Sequence, residues 1–550
     1  MTTMLIVESV AILLVVALSF GIPRLGVSRL RLVERALARL ARRQCLAVVA
    51  VGLLAAGGSA LVALLGRWPV PAINDEFSYL LGADTFAHGR LTNPPHPLWA
   101  HFESVHVLQQ PTYASKYPPG QGLVLALGQV LGGHPLVGVW LSVGLACAAL
   151  TWMLQAWLPP PWALLGGLLA AARLGLFSYW GQSYWGGAVA ALGGALLFGA
   201  LRRVLHRPRI AHALLLGVGV AILANSRPYE GLLVSLPAAA ALLVWVARKT
   251  GPPVRVAVGR VGLPLLFVLA LTAALMGLYN LRVTGDPLRL PYVVYEETYA
   301  IAPFFLWQPP RPEPIYRHEV LRTHNRKFAL RYMGERSFVA VAGLAALKFG
   351  MVWAFYLGPL LTVPLVMLPW VLRDRWMRFA GLTCGVLMAG LIAETWRQPH
   401  YAAPVTALLY ALVLQAMRHL RVWRWRGRPT GRFIMWAIVA LCVVFAPDPQ
   451  LEKGVKLRRE GLRRAHILAQ LRQTQERHLV LVRYWPSFSS HWQWVHNVAD
   501  IDGARVVWAH EMDAAQNRAL LEYFEDRRVW LLEADAEPPR LTPYPAGSGP

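Results

Sequence analysis

The chain has 550 residues, of which 56% are hydrophobic and 15% charged, and its mean hydropathy is +0.42. A soluble protein of this size needs more charge to cover its surface, so the surplus apolar surface must face lipid. The formal net charge of +25 does not mark a nucleic-acid binder, because the basic residues lie in short runs between apolar segments and not along one soluble face.

Crossing the hydrocarbon core takes about 20 apolar residues in a helix. The sequence predicts about twelve spans, near 4–22, 46–66, 134–157, 162–180, 184–201, 210–225, 229–247, 261–281, 350–372, 377–393, 401–417 and 433–447. The first run carries Glu8 and no positive leader, so it reads as a retained helix and not a cleaved signal peptide. The stretch 120–132 is apolar but too short to cross alone, which suits an interfacial or partly inserted helix. Cys45, Cys147, Cys384 and Cys442 fall in or beside apolar runs without metal-ligand spacing and read as small hydrophobes.

Arginine and lysine set the orientation. Residues 24–43 hold seven arginines and one glutamate, and the connections 202–209, 248–260, 373–378 and 418–432 are also basic. In the predicted order all five lie on one side, which is then cytoplasmic. The opposite side receives loops 67–119 and 282–348 and everything after the last span. This tail is evenly charged, with β-like runs at 479–484, 504–508 and 529–532, a helical stretch at 514–524 and another at 461–475. The expected organisation is an N-terminal helix and basic segment (1–44), a membrane domain (45–447) and a small extracytoplasmic α/β domain (448–550). The final Pro and Gly residues read as a frayed end.

Candidate chemistry concentrates on the outer side. Loop 67–119 opens with Asn74-Asp75-Glu76-Phe77-Ser78-Tyr79, two adjacent carboxylates just above the bilayer, costly there unless used or paired. On a helix the two point in different directions, so one can face a reaction site while the other anchors the loop. A helix start capped by Asn74 or Asp75 explains the same pattern and is compatible with catalysis. His101, Glu103 and His106 are weak metal-ligand candidates, lacking helical i, i+4 spacing. Lys116-Tyr117-Pro118-Pro119-Gly120 sets a cation and a phenol before a rigid turn, suited to a phosphate or to simple snorkelling. Asn225-Ser226-Arg227-Pro228-Tyr229-Glu230 and Glu394-Thr395-Trp396-Arg397-Gln398-Pro399-His400-Tyr401 form outer turns. Arg227 and Arg397 need an anionic partner at that depth, either a carboxylate such as Glu230 or Glu394 or a substrate phosphate. The aromatic run 177–185 reads as an interfacial belt or a sugar-stacking surface, and Gly186, Gly187, Gly193, Gly194 and Gly199 as close helix packing. No P-loop, GxSxG or HExxH pattern occurs.

At Asn74 to Tyr79, with many spans and a C-terminal outer domain, the chain resembles the GT-C superfamily of membrane glycosyltransferases. It is most similar to the branch of protein O-mannosyltransferases and aminoarabinose transferases (glycosyltransferase family 39 and the RgtA/B/C/D-like group). That resemblance implies inverting transfer of a sugar from a polyprenyl-phosphate donor to a glycan, lipid or protein acceptor on the outer face. The location it implies is the bacterial inner membrane, facing the periplasm. It implies a catalytic first-loop acid, Asp75 with Glu76 as second choice. Lys116, Tyr117, Arg227, Glu230, Arg397 and His400 are the substrate-binding candidates by position. No cofactor is required, though a divalent metal is compatible. The rival readings are a transporter or flippase, and a membrane-anchored sensor using Tyr484-Trp485-Pro486 and His491-Trp492-Gln493-Trp494 to bind carbohydrate.

Overall fold

The computed structural model describes residues 2–21, 27–66, 68–248, 251–335, 337–445, 451–485 and 490–545. Residues 22–26, the end of the last predicted span at 446–447, Pro486 and the terminal Pro and Gly residues at 546–550 lie outside them.

Apolar runs fold into helices here because a backbone in lipid must satisfy its own N–H and C=O groups. In chain order they begin with α1 (Thr2–Gly21), α2 (Val27–Arg42), α3 (Gln44–Leu65), α4 (Asn74–Ala87), α5 (Pro119–Gly132) and α6 (Pro135–Trp157). There follow α7 (Pro160–Ala170), α8 (Ala188–His206), α9 (Ile210–Ala224), α10 (Pro228–Ala247), α11 (Leu263–Thr284), α12 (Pro291–Tyr299) and α13 (Glu319–Gly334). The set continues with α14 (Phe338–Tyr356), α15 (Arg375–Ala393), α16 (Thr406–Val422) and α17 (Thr430–Val444). Among the described residues eight helices are long and apolar enough to cross a membrane. Their outward faces carry large exposed apolar side chains, among them Leu53, Leu64, Leu243, Leu266 and Phe267, which only lipid can cover. The chain is a multi-pass membrane protein.

The core of the bundle joins α3, α6, α8 and α16. The glycines of α8 serve packing, as their clustering predicts: a Cβ on Gly194 would stand 1.9 Å from the Pro404 carbonyl oxygen. The predicted span 350–372 is broken. Gly358 takes a left-handed φ of +58°, and Pro359 lacks the N–H that a continuous helix needs, so α14 ends at Tyr356 and a separate short helix follows. Helix α14 itself starts at Phe338, well before residue 350. The N-terminal helix α1 packs on α17 and on this break, where the buried Glu8 lies beside Arg173.

Beyond the bundle, α18 (Leu451–Leu471) leads into strands β3 (His478–Arg483), β4 (Val506–His510), β5 (Arg528–Glu533) and β6 (Arg540–Pro543), with α19 (Ala514–Tyr523) between β4 and β5. The first-loop residues Val107–Leu108 (β1) and Ala114–Ser115 (β2) form a separate two-stranded pair. The C-terminal sheet has order β4-β3-β5-β6, parallel except for β6. Continuous apolar strands such as Leu479 to Val482 are fully buried, as parallel strands covered on both faces require. One face packs on Leu81, Phe102, Val107 and Tyr113 of the first loop, so the sheet is built onto that loop.

Candidate active site

The loop 68–73 runs extended into α4, whose first turn begins after Ile73 (φ −115°, ψ 156°). The Glu76 carboxylate reaches back to the N–H groups of Ala72 (2.8 Å) and Ile73 (3.3 Å) and accepts a third bond from the Tyr184 N–H (3.1 Å). Burial pushes its pKa up to about 7 against those donors. Glu76 thereby staples the catalytic-loop candidate to the aromatic segment 177–185. Asp75 points the other way: its Oδ1 accepts the Tyr117 hydroxyl at 2.5 Å, and its Oδ2 lies 3.8 Å from His106 Nε2. Burial and the neighbouring carboxylate hold the Tyr117 phenol protonated, so it remains a donor.

Lys116 is buried, bonded to Glu296 at 3.1 Å and set over the rings of Tyr295 and Tyr292 at 4.3 and 4.6 Å. Burial depresses its pKa while Glu296 holds it up. The Gly120 N–H donates to the Asn225 carbonyl at 2.7 Å, and a Cβ there would stand 2.6 Å from that oxygen. This backbone approach draws the Lys116-Tyr117 turn against the turn carrying Arg227. The Arg227 guanidinium stacks on Tyr401 at 4.4 Å, with Glu230 3.8 Å from Nη1.

His106 holds a left-handed φ of +68°, unusual for a residue with a side chain. Three bonded neighbours enforce it. Its N–H donates to the Tyr295 hydroxyl, and its carbonyl accepts from Ser78 and from the Lys116 N–H, while β1 and β2 pair beside it. The imidazole is thus aimed at Asp75, with His324 5.7 Å away ring to ring and His491 5.6 Å beyond it. Burial, together with nearby positive charge from Lys116 and Lys327, pushes the pKa values of all three down, keeping the cluster neutral.

The C-terminal unit closes this arrangement. Asn74 does not cap α4: its amide donates to the Ser490 carbonyl (2.9 Å), and its oxygen meets His496 Nε2 (3.2 Å). Phe77 stacks on His496 at 4.5 Å, and Arg464 of α18 lies over Phe77. His491 and Trp492 become part of the wall of a cavity of about 1500 Å³, which Asp75, Lys116, Tyr117, Arg227 and Arg397 also line. The cavity reaches down between apolar helix ends at Val62, Phe177, Met276, Leu347 and Met351.

Several expectations need correction. Arg397 pairs with Glu335 (3.2 Å), not Glu394, whose backbone carbonyl instead accepts from Lys348. His400 is buried, with Nδ1 3.0 Å from the Tyr179 hydroxyl and its ring edge-on to Trp185, so it sits behind the cavity wall. His101 and Glu103 are turned away from His106. The imidazole of His101 faces the carbonyls of His510 and Gln516, and Glu103 accepts from Tyr299. Among the described residues no three His, Cys, Asp or Glu side chains are grouped to share an ion. The aromatic run is not a lipid-facing belt: Trp180 and Tyr184 are buried, and Tyr179 and Trp185 line the cavity. Sequence reasoning missed Glu296, His324, Lys327, Arg331 and Glu335, which sit in or after the second loop with no local pattern to mark them.

No family model matches the sequence, and no curated protein matches it. Among solved structures, the chain is similar to ArnT from Cupriavidus metallidurans bound to undecaprenyl phosphate, with TM-score 0.47 and 13% identity over 88% of this chain and 92% of that one. It is also similar to the Archaeoglobus fulgidus oligosaccharyltransferase in complex with Zn and sulfate, with TM-score 0.45 and 13% identity over 88% of this chain and 68% of that one. Both are membrane glycosyltransferases of the GT-C superfamily.

Proposed function

We propose that the protein transfers a sugar from a polyprenyl-phosphate donor to a hydroxyl-bearing acceptor, with inversion, in the cavity beside Asp75. One juxtaposition carries this reading. A carboxylate held at one oxygen by the Tyr117 hydroxyl and facing His106 with the other shares a cavity with the cations Lys116 and Arg227, and that cavity opens both to water and to apolar helix ends. A lipid phosphate needs that combination, since its chain stays in the membrane while its headgroup must find cations at the bilayer edge.

In the transfer, the acceptor hydroxyl attacks the anomeric carbon and the C–O bond to phosphate breaks, its electron pair leaving with the phosphate. Asp75 takes the hydroxyl proton as the new glycosidic bond forms. Lys116 and Arg227 stabilise the charge growing on the departing phosphate. Because phosphate already leaves readily, the scheme calls for no protein nucleophile and routes no step through a metal. Tyr117 and His106 keep the Asp75 carboxylate aimed. Glu76 holds the loop and Glu230 orients Arg227. Counting the broken run 338–371 once and adding the helical run 160–176, the eight long and four shorter apolar helices give about twelve crossings. With the basic connections cytoplasmic, cavity and C-terminal unit face the periplasm of a bacterial inner membrane.

The test compares wild type and Asp75→Asn in liposomes containing polyprenyl-phosphate sugars, following donor and product by mass spectrometry. Wild type should form product, and Asp75→Asn should lose about 10²–10⁴-fold in rate, the contribution of a positioned base. Equal turnover by both proteins removes Asp75 from the chemistry.

A further inference from the structure

The cavity has a second cationic pole, distinct from Lys116 and Arg227. On α13, Lys327 and Arg331 sit one turn apart on one face, where like charges disfavour each other unless an anion relieves them. Arg397 joins them from the turn after α15, and all three line the cavity. Among the described residues Glu335 is the one carboxylate that pairs with them, 3.7 Å from Arg331 and 3.2 Å from Arg397, while the Thr395 carbonyl accepts from Arg331 at 3.5 Å. Lys327 makes no ion pair among the described residues, and Arg331 Nε is buried without a hydrogen-bond partner. Three cations against one carboxylate leave a local surplus of positive charge, kept at a cost that a bound anion would offset.

Aromatic rings stand between these cations. Phe328 packs edge-on against Trp396 at 4.9 Å and lies 5.9 Å from His491, with Arg331 over its ring at 5.1 Å. Trp396, Phe328 and His491 all face the cavity, the last contributed by the C-terminal unit. Ring faces and edges suit the C–H faces of a sugar, and guanidinium groups at the rim suit a carboxylate or phosphate. Lys327 is exposed, which places this pole towards water.

We infer that Lys327, Arg331 and Arg397, with Phe328, Trp396 and His491, form the acceptor subsite, and that the acceptor is a saccharide bearing an anionic group. The assignment of this ligand as acceptor rests on the transfer reaction proposed above; the binding itself does not. The donor phosphate occupies the other pole, beside Asp75 and next to the apolar wall. The acceptor enters from the water side, its sugar stacked on the rings and its anionic group held by the cations.

The test measures binding to the full chain in nanodiscs, with tetragalacturonate as acidic probe, maltotetraose as neutral control and undecaprenyl phosphate as donor-side probe. Tetragalacturonate should bind at least about tenfold more tightly than maltotetraose, and Lys327→Gln and Arg331→Gln should each weaken it by about tenfold, the loss expected for one charged contact. Both variants should bind undecaprenyl phosphate as wild type does, which also shows that they are folded. Asp75→Asn should bind tetragalacturonate normally, so a failed transfer reaction would leave this result standing. Equal binding of the two oligosaccharides, or no binding of the acidic one, overturns the subsite. Loss of undecaprenyl phosphate binding in the Arg331→Gln variant assigns these cations to the donor and overturns it as well.

Discussion

Replacing Asn74 by alanine tests whether the C-terminal unit holds the catalytic loop in place. The amide makes two bonds to that unit, to the Ser490 carbonyl and to neutral His496, and it is almost fully buried. Each bond contributes about 1 kcal/mol net, and truncation also strands two buried partners, so the junction should weaken by about 2–5 kcal/mol. The Phe77–His496 stack, about 0.5–1.5 kcal/mol by comparison, cannot compensate. Asp75 is the next residue, so freedom gained here is freedom of its carboxylate. A displacement of about 1 Å at a reacting group costs on the order of 10²-fold in rate. Asn74→Ala should therefore lower kcat by about 10–100-fold and sensitise the C-terminal unit to limited proteolysis, with donor KM little changed because Lys116 and Arg227 are held by other elements. Asn74→Asp should do no better, since it keeps the His496 contact but sets a carboxylate oxygen against the Ser490 carbonyl. Wild-type kcat together with an unchanged cleavage pattern for Asn74→Ala would refute the idea that the C-terminal unit positions the loop.

Glu76→Leu removes the acceptor of three buried N–H groups, costing about 2–5 kcal/mol, so its thermal unfolding temperature in detergent should fall while that of Asp75→Asn stays near wild type. A Glu76→Leu protein with unaltered melting but no turnover would instead move this carboxylate into the chemistry. Acid should loosen the outer units through His318, which stacks on His510 at 3.8 Å and donates to the Ala100 carbonyl at 2.7 Å. Burial lowers its pKa to about 4 from the ordinary 6.5, so the unfolded chain binds the proton first. Its contribution to stability is complete above pH 6.5 and is lost as pH falls towards 4, amounting to about 3 kcal/mol at 1.36 kcal/mol per unit. Melting of wild type should fall across that window more steeply than melting of His318→Phe, and identical slopes would clear His318 of the effect.

What the sequence made legible and what it hid divide along one physical line. Hydrophobic length and helical geometry act locally, so they can be read from a single stretch. The predicted runs match helices α1, α3, α6, α8, α9, α10 and α15 to within a few residues, and the β-like runs of the tail become β3, β4 and β5. The separate directions of Asp75 and Glu76 follow from helical geometry, and the two carboxylates do point apart, Asp75 to the Tyr117 hydroxyl and Glu76 to the backbone N–H groups of Ala72, Ile73 and Tyr184. Partnerships between distant segments carry no such mark. Arg397 passes over the neighbouring Glu394 for Glu335, because Glu394 lies buried with Lys348 and Glu230 while the end of α13 brings Glu335 within 3.2 Å of it. Asn74 reads as a cap, but burial against Ser490 and His496 gives its amide better partners than the α4 backbone. The break at Gly358 was visible as Gly-Pro, yet hydropathy alone read through it.

The cavity is made of the relations that local reading misses. Its cations come from the first loop, the α9–α10 turn, α13 and the turn after α15, and each segment taken alone resembles an ordinary helix end with an arginine or lysine. Around Lys327, Arg331 and Arg397 their convergence leaves a positive charge that Glu335 alone does not cancel. For that reason the charge imbalance around Lys327, Arg331 and Arg397 is stronger evidence of a ligand than any of the three residues alone. A fold selected for stability would have placed carboxylates there, as it did beside Lys116 and Arg227.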